Sequence, residues 1–112
     1  MQTDLGPTSS GMDANVAGAL AYAVGWVTGV AFLLFEQENK FVKFHALQSI
    51  FVFGGLSLAW MLAWSVPFLG WIVAIFVIPP VSAVLWLILM YKAYQGERYK
   101  VPGVGEMAEQ RL

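Results

Sequence analysis

The side chains with chemistry to offer gather in one stretch, Glu36-Gln-Glu-Asn-Lys-Phe-Val-Lys-Phe-His-Ala-Leu-Gln-Ser49. It holds four charged residues, Glu36, Glu38, Lys40 and Lys43, and the only histidine of the chain, His45. On a helix, His45 lies three residues before Gln48 and four before Ser49, so the three share one face. Polar side chains inside an apolar segment face the protein interior or a water-filled cavity. Two kinds of role fit them. One is a polar pocket, in its most specific form with His45 as ligand to a metal or a tetrapyrrole. The other, taken as the default, is a hydrogen-bonded interhelical clasp or plain solvation one turn into the membrane. A lone histidine without a second histidine, a cysteine or a well-placed carboxylate does not make a zinc site. No metal or cofactor is therefore assigned.

No catalytic pattern surrounds this stretch. The histidine has no nucleophile and acid arranged about it, and neither a phosphate-cradling glycine loop nor a dinucleotide fingerprint occurs. The expectation is a protein that is not an enzyme. A net charge of −1 gives no field that would draw nucleic acid. The chain has no cysteine, which removes disulfides and thiolate sites.

The elements that must position these residues are membrane helices. Of the 112 residues 59% are hydrophobic and only 12% charged, against about 25% charged in ordinary soluble domains. Three apolar runs, at about 14–35, 44–66 and 68–91, are each long enough to cross about 30 Å of hydrocarbon. The expected fold is therefore an all-α membrane protein with three transmembrane helices, 14–95. A flexible tail, 1–13, precedes it and a surface-hugging cytoplasmic tail, 96–112, follows it. Asn39 is positioned to cap the second helix. Pro79-Pro80 predicts a kink in the third. Gly96 stops that helix.

Small residues form two rows at helical spacing. Ala17, Ala21, Gly25 and Gly29 lie along the first run, and Gly55, Ala59 and Ala63 along the second. Such rows let helix backbones approach closely within lipid, inside one molecule or between copies. All six Lys and Arg fall in the first loop and the C-terminal segment: Lys40, Lys43, Lys92, Arg98, Lys100 and Arg111. Three spans and the positive-inside rule then place the N-terminus outside and the C-terminus in the cytoplasm of a prokaryotic cell membrane. That topology brings Glu36 or Glu38 near Arg98 or Lys100, where they can pair.

The stretch Phe41-x-x-Phe44-His45-Ala46-x-Gln48, with Ala93-x-x-Gly96 and Pro102 downstream, resembles the Tic-twenty-like family of small prokaryotic membrane proteins. That family is related to a chloroplast inner-envelope import component. The resemblance implies no catalytic residues, and it implies that the Phe41–Gln48 pattern and the Gly96/Pro102 tail work together. The resulting expectation is a structural or accessory subunit of a membrane complex or homo-oligomer. Its partners are lipid and other membrane subunits or further copies. The alternative is a small oligomeric channel with His45, Gln48 and Ser49 at its cytoplasmic mouth.

Overall fold

The structure, a computed structural model, describes residues 6–9 and 11–112. Part of the expected 1–13 tail thus lies outside the described residues. Among the described residues there are five helices and no strand. They are α1 (Ala14–Leu20), α2 (Trp26–Phe35), α3 (Lys40–Ala63), α4 (Leu69–Tyr94) and α5 (Val104–Gln110).

The second and third apolar runs form the long helices. α3 has 24 residues and α4 has 26. At 1.5 Å per residue they are roughly 36 and 39 Å long, enough to cross the hydrocarbon. Asn39 caps α3, its side chain accepting the Val42 N–H at 3.1 Å. The double proline does perturb α4. Over Val73–Val77 the helix widens into a π-turn, and the Ile78 N–H reaches back five residues to the Val73 carbonyl. Pro79 has no N–H to continue that winding onto Ala74. The Trp60 indole N–H fills the vacancy, donating to the Ala74 carbonyl at 3.1 Å. α4 ends at Gly96 in the left-handed conformation, φ +84°. There the Glu97 N–H bonds the Lys92 carbonyl and the Gly96 N–H the Ala93 carbonyl, the paired bonds of a Schellman stop.

The first apolar run departs from the expected single span. It is divided between α1, with 7 residues, and α2, with 10, and neither alone can cross a bilayer. The break falls at Ala21–Gly25, where Gly25 takes φ +57° and ψ −136°. A side chain would strain that conformation. α1 runs beside α3 in the same direction: a Cβ on Gly18 would meet Phe41 and His45, and the Tyr22 ring packs edge-on to Phe53. α2 then returns along α3, with Gly25 at Phe53 and Gly29 at Ala46 and Ser49. The two helices form a V whose apex reaches about half-way along α3.

Exposing broken backbone in lipid is costly, so each freed group must find a partner. The Tyr22 carbonyl accepts from the Trp86 indole at 2.8 Å, and the Gly25 carbonyl from the Ser49 hydroxyl at 2.7 Å. The Thr28 hydroxyl accepts the Val24 N–H at 3.0 Å and lies 3.1 Å from the Ala21 carbonyl, to which it can donate.

Because the V turns back, its two ends lie together. The Asn39 side-chain amide donates to the carbonyls of Gly6 and Pro7, and the Asn15 amide to that of Tyr94. The N-terminal segment, the first loop and the C-terminal tail therefore share one end of the molecule. In place of three equal helices there are two, α3 and α4, that are long and apolar enough to cross a membrane, with the first run folded into the V beside them.

The small-residue rows separate accordingly. Ala17, Ala21 and Gly29 are buried and Gly25 is half-buried, so the first row is used within the molecule. Gly55 and Ala59 face outward, and only Ala63 is half-buried. A Cβ at Gly29 would lie 2.9 Å from the Ala46 carbonyl oxygen and 3.1 Å from Ser49 Cβ, whereas at Gly55 it would meet nothing within 4 Å. Gly29→Ala should thus lower stability by about 1–3 kcal/mol through overpacking. Gly55→Ala should be neutral or stabilising by up to about 1 kcal/mol from helix propensity. Thermal unfolding of both variants in detergent checks the pair.

Candidate functional site

The face predicted for His45, Gln48 and Ser49 is buried, each of the three being 0% exposed. Ser49 serves the V apex, as described above. His45 and Gln48 meet a residue the spacing argument missed, Tyr22 of the α1–α2 turn, also 0% exposed. The Tyr22 hydroxyl lies 2.6 Å from His45 Nδ1 and 2.8 Å from Gln48 Nε2. Three aromatic rings, Tyr22, Phe41 and Phe44, meet the imidazole edge to face, with centroids 4.5–5.4 Å away.

The remaining partners are backbone groups of the tail. His45 Nε2 lies 3.0 Å from the Glu97 carbonyl, Gln48 Nε2 donates to the Tyr99 carbonyl at 2.9 Å, and the Val101 N–H donates to Gln48 Oε1 at 2.8 Å. The Gln48 amide thus grips an extended peptide as a neighbouring strand would, giving one donor and one acceptor. Such a set admits one arrangement of protons. A carbonyl can only accept, so His45 Nε2 carries the hydrogen and Nδ1 is the acceptor. The Tyr22 hydroxyl must then donate to Nδ1, and its oxygen accepts from Gln48. The direction of every bond in the chain follows, and no donor is left over for a substrate.

This arrangement fixes the path of the tail. The side chains of residues 97–100 are exposed, but their backbone threads beside α3 and brings Val101 and Val104 against the core of Tyr22, Val52, Phe53 and Leu89. After the Pro102-Gly103 turn, α5 closes on α3, placing Ala108 against Phe44 and Leu47. The Arg98 guanidinium lies over the Phe44 ring at 5.6 Å and Arg111 over Phe51 at 5.8 Å. Charges on the outer side pair among themselves. Arg98 meets Glu109 at 2.8 Å, Lys100 meets Glu106 and Glu109, and Lys92 meets Glu97 at 3.5 Å. These exposed pairs are screened by solvent and orient the tail more than they hold it.

The expected pairing of Glu36 or Glu38 with Arg98 or Lys100 does not form. Glu36 is 3% exposed and turns to the N-terminal segment instead. Its carboxylate accepts the Ser9 N–H and hydroxyl, each at 3.0 Å, and the Asn39 N–H at 2.9 Å. The Glu38 N–H follows at 3.2 Å. Burial pushes this carboxyl up, but the donors of Asn39, Ser9 and Glu38 outweigh it and hold the group below its ordinary 4.5. Asn15 contributes the one unmatched atom: among the described residues its Oδ1 is the buried side-chain oxygen without a partner. No three His, Cys, Asp or Glu of the described residues group as a metal site.

Two expectations follow. In Gln48→Leu the tail loses its Tyr99 and Val101 bonds. At about 1 kcal/mol per bond, undocked tail should rise by roughly 10- to 100-fold, seen as faster tryptic cleavage at Arg98 and Lys100. Gln95→Leu, outside the network, should leave the rate unchanged. Glu36, whose folded pKa is depressed, stabilises the N-terminal strap fully above the ordinary carboxylate range. That contribution fades as pH falls through the folded value, below 4.5. Protection of the Ser9 amide against hydrogen exchange, taken relative to its intrinsic rate at each pH, should therefore be high at neutral pH and fall on acidification, while in Glu36→Gln it should be low at both.

Comparison with known proteins places the chain among small membrane proteins. Residues 9–108 match the family described as magnetosome magnetite crystal formation protein, MamF/MmsF. A UPF0132 membrane protein of Methanocaldococcus jannaschii is 46% identical over 95% of this chain and 94% of its own length. One of Archaeoglobus fulgidus is 44% identical over 90% of this chain and 97% of its own length. No solved structure matches. These findings overturn the resemblance to the Tic-twenty-like family: the family matched over nearly the whole chain is a different one. The residues that carried the resemblance, Phe41 to Gln48, here surround the imidazole and hold the tail.

Proposed function

The chain belongs to the MamF/MmsF magnetosome magnetite crystal formation protein family, and from that premise we propose that it is a non-enzymatic structural subunit of the membrane. The carrying observation is the closed hydrogen-bond chain through His45, Tyr22 and Gln48. Polar groups within an apolar span are commonly functional. Here each is consumed in holding α1, α3 and the tail together, so His45, Gln48 and Ser49 act as a clasp. Nothing in their surroundings favours the channel alternative, since all three are buried and bonded.

The family description names crystal formation in the magnetosome. What we carry to this chain is the membrane setting. The surface suited to partners is the α3–α4 hairpin beyond the V. It presents Leu58, Met61, Ile72, Ile75 and Phe76, together with the open row Gly55 and Ala59. A row of small residues favours close helix approach, so association runs through this hairpin, with further copies or with other membrane subunits. The six Lys and Arg all lie at the opposite end, which the positive-inside rule assigns to the cytoplasm. Both ends of the chain are then cytoplasmic, in the cell membrane of a prokaryote or a membrane derived from it.

Native mass spectrometry after gentle extraction tests this reading. The expected result is an oligomer or a defined complex that Gly55→Leu disrupts while Gly29-side contacts stay intact. A stable monomer that copurifies with nothing would contradict it.

A further inference from the structure

The V and the hairpin divide the molecule into two halves of unequal width. At the charged end α1, α2, the first half of α3 and the last turns of α4 run side by side, and the tail and α5 pack outside them. Beyond the apex only the second half of α3 and the first half of α4 continue. The change is abrupt. α1 and α2 measure roughly 10 and 15 Å along their axes, so they occupy about one leaflet of a 30 Å hydrocarbon layer. Above the apex an open groove of about 370 Å³ remains, lined by Trp26, Phe53, Leu56, Trp60 and Pro79 among others. Its apolar lining is open to the surroundings, Val24 being 62% and Trp26 44% exposed. Lipid must fill the space that a third spanning helix would have taken.

The V is also held at this depth. Trp86, Ser49 and Thr28 satisfy its turn, and the Tyr22 hydroxyl is bonded to His45 and Gln48. Carrying the turn further across would unmake these bonds in hydrocarbon, where each lost partner costs several kcal/mol. The asymmetry is thus built into the fold and does not depend on the surrounding lipid.

We infer that this chain is a membrane-curvature wedge, partnered by a bilayer surface that is convex on the side of its charged end. Each helix adds a cylinder about 10 Å across to one leaflet only. Bending the membrane so that this leaflet is the outer one relieves the crowding. With the charged end in the cytoplasm, which rests on the orientation proposed above, the favoured membrane bulges toward the cytoplasm. A vesicle inside the cell has that shape, and so does the tip of an inward-growing membrane pocket.

The chain has no native cysteine, so single labels report cleanly. Full-length Met107→Cys protein is reconstituted into vesicles of phosphatidylcholine and phosphatidylglycerol of mixed diameter. An impermeant fluorescent maleimide then marks only molecules with the charged end outward. Protein per unit lipid is read vesicle by vesicle. In parallel, a spin label at Val24→Cys reports depth. The expected result is several-fold more labelled protein per lipid on the smallest vesicles, with Val24 near the bilayer centre. Val24 at the centre without enrichment overturns the wedge and leaves the half-depth V standing. Val24 at the far headgroups overturns both.

Discussion

The hydrogen bond between the Tyr22 hydroxyl and His45 Nδ1, 2.6 Å long, is the constraint on which the rest of the structure depends. It joins the turn of the V to the longest-buried face of α3, and through His45 Nε2 and Gln48 it reaches the tail. In hydrocarbon none of these groups has water to fall back on. Removing one leaves a neighbour unpaired, at a cost of about 1–3 kcal/mol. Apolar packing within lipid supplies no comparable preference for one arrangement over another. Register and depth in this molecule are therefore set by its few polar side chains.

The same logic explains why a break in the first apolar run is tolerated. A bent helix in lipid needs donors for its freed carbonyls, and they come from three different elements: Trp86 on α4, Ser49 on α3 and Thr28 on α2. Pro79 poses the same problem in α4, and Trp60 answers it. Indole and hydroxyl groups that would otherwise be interfacial anchors or lipid-facing fillers thus carry the irregular backbone. With its ends drawn together by Asn39 and Asn15, the V leaves one half of the molecule broad and the other narrow. From that geometry follow both the proposed orientation and the proposed preference for curved membrane.

Much of this was legible in the residues. The long apolar runs, the Asn39 cap, the Gly96 stop and the perturbation at Pro79-Pro80 each follow from local chemistry. So does the common face of His45, Gln48 and Ser49, because helical spacing alone decides it. The V was not legible. Its hydropathy is uninterrupted from Ala14 to Phe35, and Gly25 serves close packing as readily as a turn. Thr28, the one hydroxyl beyond Tyr22 in that run, is a faint signal whose meaning depends on where Trp86 and Ser49 lie. Tyr22 was missed for the same reason: its partners are 23 and 26 residues away. How the tail is held was not legible either, because its bonds to His45 and Gln48 are made by backbone, which no side-chain pattern announces. The charge count gathers all six Lys and Arg at one end of the molecule, and reading the first run as a span put the N-terminal segment at the other, whereas Gly6 and Pro7 lie beside Asn39 at the charged end.

The measurement that bears most directly on this account is the sidedness of three single cysteines in sealed vesicles, probed with a membrane-impermeant maleimide. Met12 precedes the V, Val66 lies in the α3–α4 turn and Met107 lies on α5. The half-depth V predicts that Met12→Cys and Met107→Cys label from one side and Val66→Cys from the other. Labelling of Met12→Cys from the same side as Val66→Cys would mean that the first apolar run crosses the membrane, and the account would fail.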